Sequence, residues 1–117
     1  MLRSIKTVQR NARVIFVKID GSDVGGATLT TNGIKVGAEH VKITETGNGA
    51  YTLTLNQPGT RACFAMITSN TDNSICHVGT CAASTVAVTQ DTASTGAALA
   101  DADFSVIIVA FDSEDET

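Results

Sequence analysis

Residues 51–56 read Tyr-Thr-Leu-Thr-Leu-Asn, an unbroken alternation of large apolar and small polar side chains. Successive side chains of a strand point to opposite faces. A period of two therefore sets Tyr51, Leu53 and Leu55 on one face and Thr52, Thr54 and Asn56 on the other. A helix cannot gather that pattern onto one side. Residues 41–45 alternate in the same way, with Val41 and Ile43 opposed to Lys42 and Thr44. Between the two runs, Gly47-Asn48-Gly49 is a hairpin turn signal. The centre of the chain is thus committed to a sheet with one dry and one wet face.

The same chemistry runs through the rest of the 117 residues. The chain holds 17 Thr, 11 Val and 9 Ile against 5 Leu. β-Branched side chains are stiff at χ1 and suit a pleated surface better than a helical turn. The single proline, Pro58, leaves the strand runs uninterrupted. Strands are predicted over residues 13–19, 27–30, 34–36, 41–45, 51–56, 62–68, 74–78, 85–89 and 104–111, with 91–103 as a long exposed loop. Short strands with frequent turn signals predict an all-β fold, a single β-sandwich or jelly-roll-like domain. It covers residues 12–112, after an N-terminal basic arm at 1–11 and before an acidic tail at 113–117. No internal repeat or linker divides it, and the length suits one modest core.

Residues 104–111 are apolar on both faces apart from Ser105. A strand of this kind must be covered on both sides. Two covers are consistent with the residues: another copy of the chain, or the chain's own arm or loop. The first makes Phe104, Val106, Ile107, Ile108, Val109 and Phe111 the candidate oligomer interface. Aromatic residues are only 4% and tryptophan is absent. Burial between subunits would add to so thin a core.

The net charge of −4 conceals a polarity along the chain. All eight Lys and Arg lie in residues 1–61, with four acids; residues 62–117 carry eight acids and no base. The start holds Arg3, Lys6, Arg10 and Arg13 with no acid, and residues 112–117 hold four acids. The basic residues lack interleaved aromatics and belong to an acidic chain, so nucleic acid is not the expected partner. No apolar run approaches the ~20 residues of a spanning helix, and no membrane role is expected.

Motifs for chemistry fail on inspection. Gly21-Ser22-Asp23-Val24-Gly25-Gly26-Ala27-Thr28 has the glycine frame of a phosphate loop, but Ala27 stands where the lysine must be and no helix start follows. Cys63, Cys76, His77 and Cys81 lack the paired spacing of a zinc site. No nucleophile elbow or Cys–His signature surrounds Ser, His40 or His77. Neither a catalytic residue nor a cofactor is expected. The cysteine number is odd and no secretory signal is evident, so three structural, unpaired thiols in a reducing cytoplasm are expected; Cys76–Cys81 or Cys63–Cys76 is the alternative pairing.

Two stretches resemble a known class. Residues 41–55, VKITETGNGAYTLTL, and residues 95–111, TGAALADADFSVIIVAF, are similar to the strand–Gly turn–strand and Gly/Ala loop–Asp–final strand of small tailed-bacteriophage virion proteins. The similarity spans about residues 41–112 and leaves out the basic start. It resembles the capsid cement, or decoration, proteins and the related β-rich domains of head and tail fibres. The resemblance implies a noncatalytic virion structural protein on the capsid exterior, assembled in the host cytoplasm. It implies a homotrimer that stabilises the head shell through the major capsid protein. Within it, Arg3, Lys6, Arg10 and Arg13 are the expected docking residues toward an acidic shell, with Glu114, Asp115 and Glu116 turned to solvent. A fibre domain binding a host glycan or receptor, and an intracellular ligand-binding β-barrel, are the alternatives.

Overall fold

The computed structural model describes residues 12–56 and 60–112. They form eight strands: β1 (Ala12–Asp20), β2 (Ile34–Val36), β3 (Val41–Gly47), β4 (Ala50–Leu55), β5 (Thr60–Ser69), β6 (Ser74–Cys81), β7 (Thr85–Thr92) and β8 (Asp103–Asp112). One sheet has the order β2-β1-β8-β5, here called sheet A; the other, sheet B, has the order β3-β4-β7-β6. All pairings are antiparallel. Two four-stranded sheets packed on a shared core make a β-sandwich.

The alternation at the centre of the chain works as the sequence demands. Tyr51, Leu53 and Leu55 point inward from β4, beside Val41 and Ile43 of β3 and Val86 and Val88 of β7. Sheet A answers with Ile15, Val17 and Ile19 of β1 and Phe104, Val106, Ile108 and Ala110 of β8. The Tyr51 and Phe104 rings meet across the interlayer, with centroids 5.4 Å apart and planes tilted by 41°. This is within the range aromatic pairs favour. The β3–β4 hairpin turns through Asn48 and Gly49, whose φ of 73° suits glycine. A Cβ on Gly49 would also come within 2.7 Å of the Gln90 carbonyl oxygen.

Residues 27–30 and the ends of β6 and β7 differ from expectation, and β7 runs on to Thr92, two residues into the loop expected at 91–103. Residues 27–30 form no strand; only Thr30 bridges Ile43, with backbone bonds of 3.1 and 2.8 Å. Glycines at 25 and 26 before it and the Gly33 turn after it leave too short a run for a ladder. β6 continues beyond residue 78 to Cys81, through a bulge between Val78 and Thr80. The glycine at 79 lies inside that irregularity.

The phosphate-loop frame is also resolved. Gly21–Asp23 is a 3₁₀ turn capped by Asp20, whose carboxylate accepts from Ser22 N at 3.0 Å and Ser22 Oγ at 2.7 Å. Those bonds hold the Asp20 pKa below its usual value. A Cβ on Gly21 would lie 2.2 Å from the Ala102 carbonyl oxygen. Glycine is needed there for close chain approach.

Tyr51 supplies a test of this core. Burial, with Glu45 nearby, pushes its phenol above the ordinary value of ~10. A folded pKa above the unfolded one leaves stability intact below pH ~10 and erodes it as pH rises from there through the folded pKa. The chain has one tyrosine and no tryptophan, so phenolate absorbance reports this residue alone. The native midpoint is expected above that of the urea-unfolded chain, and Tyr51→Phe should lose Tyr51's share of the alkaline decline in stability, while Cys63, Cys76 and Lys35, also pushed up, keep theirs. Equal native and unfolded midpoints would show an open core.

A candidate docking surface

The two outer faces of the sandwich differ in kind. On sheet B, Lys42, Thr44, Thr52, Thr54 and Thr89 alternate with the buried residues of their strands. This is the wet side that the period of two requires. His77 and Asp91 share it: His77 Nε2 lies 3.1 Å from Asp91 Oδ2, and Thr89 Oγ1 lies 3.0 Å from the His77 ring. Hydroxyl, imidazole and carboxylate are in contact, but on an open sheet face with the imidazole side chain 53% exposed. Nucleophilic catalysis needs an enclosed substrate position flanked by oxyanion donors. The contact is a cross-strand polar pairing.

Sheet A has no such alternation. Strand register aligns its outward residues in ranks across β1, β8 and β5. Val14, Val109 and Phe64 form one rank; Phe16, Ile107 and Met66 form the next. Ala12, Phe111 and Ala62 stand on one side of these, and Lys18, Ser105 and Thr68 on the other. Directly opposed side chains in such ladders sit about 4.5–5.5 Å apart and act as one surface. Phe64 and Phe111 add a ring contact at 6.0 Å. Val36 of β2 extends the patch, and Phe16, Val36 and Ile107 line an open depression of about 280 Å³ with Lys18 and Ser105 at its rim.

Six of these side chains, Val14, Phe16, Val36, Phe64, Met66 and Ile107, are 36% to 60% exposed. A large apolar side chain offers on the order of 150–200 Å². Together they leave roughly 500 Å² of apolar surface facing outward, at the upper end of the ~300–600 Å² of a monomer's largest patch. It also matches one side of a standard interface, ~800 Å² per partner and about 60% apolar.

The expected interface residues divide by parity. Ile107, Val109 and Phe111 point outward, into the patch. Phe104, Val106 and Ile108 do not: they are at most 1% exposed, inside the sandwich core. A strand apolar on both faces sends alternate residues to different jobs, so only half of 104–111 can meet a partner. Val14, Phe16, Val36, Phe64 and Met66 complete the surface without having been singled out in the sequence. For all but Val36 the signal was present: residues 13–19 and 62–68 are also nearly continuous apolar runs.

Arg3, Lys6 and Arg10 lie outside the described residues, as do Glu114, Asp115 and Glu116. Arg13 is the second residue of β1, half-buried and opposite Ala110, on the register of the core-facing positions. It belongs to the sandwich. Among the described residues, no three His, Cys, Asp or Glu converge to hold a metal. The three cysteines are free thiols.

The two sides of sheet A should respond differently to substitution. Ile108→Ala, in the core, is expected to cost ~2–5 kcal/mol in urea unfolding. Phe16→Ser, on the outer face, should cost a dilute protomer within ~0.5 kcal/mol. Its cost should grow with protein concentration if the face is covered by association. A large concentration-independent loss from Phe16→Ser would mean that the chain itself covers this face. Compared with known proteins, the chain matches no family model, no curated protein and no solved structure.

Proposed function

We propose that this chain is a noncatalytic structural subunit of a tailed-phage virion, a cement or decoration protein that stabilises the head shell as a homotrimer. The observation that carries the reading is the outer face of sheet A. A second copy is its occupant, because the face has the apolar area of one interface side and only Lys18 among its ranks is charged. Three copies around a closed threefold axis would each turn sheet A toward the others, leaving the Thr-rich faces of sheet B in water. The trimer would then present three basic starts to the shell. Arg3, Lys6 and Arg10 give each arm positive charge without an acid. A single exposed ion pair is worth only ~0–1 kcal/mol. Three arms held at high effective concentration act together, and their attraction falls with salt.

Light scattering at micromolar concentration is expected to give three times the 12.1 kDa chain mass, and Phe16→Glu with Met66→Glu should give a folded monomer. Phage particles stripped of their own cement protein should take up the full chain but not a chain lacking residues 1–11. A wild-type monomer overturns the trimer. A monomer that associates only after residues 1–11 are removed assigns the face to the chain's own arm. Binding of the free protein to host glycans, with no uptake by shells, replaces the cement reading with that of a fibre domain.

A further inference from the structure

The sandwich has an open side where the edge strand of sheet A, β5, runs beside the edge strand of sheet B, β6. The strands are consecutive, joined through the 70–73 turn, yet they pair into different sheets. Cys63 points from β5 toward this seam. Its Sγ donates to the Ala82 carbonyl oxygen at 3.1 Å and comes within 3.8 Å of the Thr85 carbonyl oxygen. Cys81, the last residue of β6, directly precedes that Ala82 acceptor, and both cysteine side chains pack against the core.

The aim of Cys81 comes from the bulge. Ser74, Cys76 and Val78 occupy the inward positions of β6, so strict alternation would turn residue 81 outward. The register shift between Val78 and Thr80 reverses the parity, and Cys81 stands opposite the fully buried Val86 and packs against the core. The Ala82–Thr85 turn is closed by Ala82 N to Thr85 O at 2.9 Å, which fixes the acceptors around Cys63. Cys76 is remote from this arrangement, opposite Gln90 farther along β6. The structure therefore selects a pair that neither spacing nor sequence order favoured.

We propose that Cys63 and Cys81 are a redox pair that closes into an inter-sheet disulfide, leaving Cys76 as a thiol. The oxidant is a small-molecule disulfide of the glutathione class. The Cys81 thiolate attacks one sulfur of that reagent, forming a mixed disulfide and releasing one reduced thiolate. The Cys63 thiolate then attacks the Cys81 sulfur and releases the second. The protein loses two electrons and two protons, and the reagent becomes two thiols. Burial pushes the Cys63 thiol up, so its thiolate is scarce at neutral pH and the second, intramolecular attack quickens as pH rises. The product closes a loop across the seam that no backbone ladder spans, restricting the unfolded chain most.

The test uses the full chain, folded, with oxidised glutathione, followed by acid quench and alkylation. Titratable thiols are expected to fall from three to one per chain without a covalent dimer, and the intact mass by two hydrogens. Backbone fragmentation of the cross-linked chymotryptic peptides by tandem mass spectrometry, with cleavage between Cys76 and Cys81, should place the bond between Cys63 and Cys81. Cys76→Ser should behave as the wild type, reaching zero titratable thiols. Cys63→Ser should stop at a glutathione adduct on Cys81, and Cys81→Ser should form no disulfide within the chain. The melting temperature of the wild type should rise on oxidation and return with dithiothreitol, and that shift should persist in Cys76→Ser. Three thiols surviving oxidation, a bond involving Cys76, or an intermolecular dimer would each overturn the proposal. The outcome is independent of the virion reading, since it needs neither a trimer nor a shell.

Discussion

The β1–β8 ladder is the constraint on which the rest of the structure depends. Its nine register pairs run from Ala12 opposite Phe111 to Asp20 opposite Asp103. It forms the middle of sheet A, with β2 and β5 added on its two sides. One set of alternate residues supplies the sheet A half of the core. The other set, displaced by a single position, supplies the apolar ranks outside. A slip of one residue in either strand would exchange the two sets. The register holds at one end through Asp103, whose carboxylate accepts from Gly21 N at 3.3 Å while its own N–H donates to Thr71 Oγ1 at 2.7 Å. That end is polar, so the apolar surface stops there.

Sheet B shows how an ordinary sandwich face is written. Thr52 and Thr54 stand against Leu53 and Leu55 in strict alternation, and β-branched hydroxyl residues keep the strand geometry while accepting water. Sheet A departs from this rule in three adjacent strands at once. Single exposed apolar residues such as Leu29 or Ile75 need no explanation. Phe16, Ile107 and Met66 in one rank are different, because their register makes them continuous.

Most of the architecture is legible in the chain itself. The alternation at 51–56 and the Asn48-Gly49 turn fix a hairpin that the structure reproduces, and the six further strands stand within a few residues of their apolar runs. The double-faced character of 104–111 was readable too. What could not be read was which of its two faces lay inside, because parity against a second sheet is set by packing and leaves no mark on a run that is apolar throughout. Phe104 and Ile107 look equivalent in sequence and have opposite fates. The same limit hid the Cys63–Cys81 approach: it depends on a bulge around Gly79 and on two strands, neighbours in sequence, that join different sheets. Residues 27–30 erred for the opposite reason, since local β-propensity there has no partner strand long enough to use it. The charge at the start of the chain was equally plain, but its meaning lies in what it faces.

The β1–β8 pairing also has a consequence for how the protein is made. Residues 21–102 separate the two strands, so β1 leaves the ribosome long before its principal partner exists. During that interval both of its apolar faces are uncovered, the one bound for the core and the one bound for the patch. Local hairpins such as β3–β4 can form in microseconds, while a contact of this sequence separation must wait for synthesis and for the closing of a long loop. Until residues 103–112 are made, the nascent chain therefore carries β1 without its principal partner, a substrate for a chaperone that binds extended apolar segments.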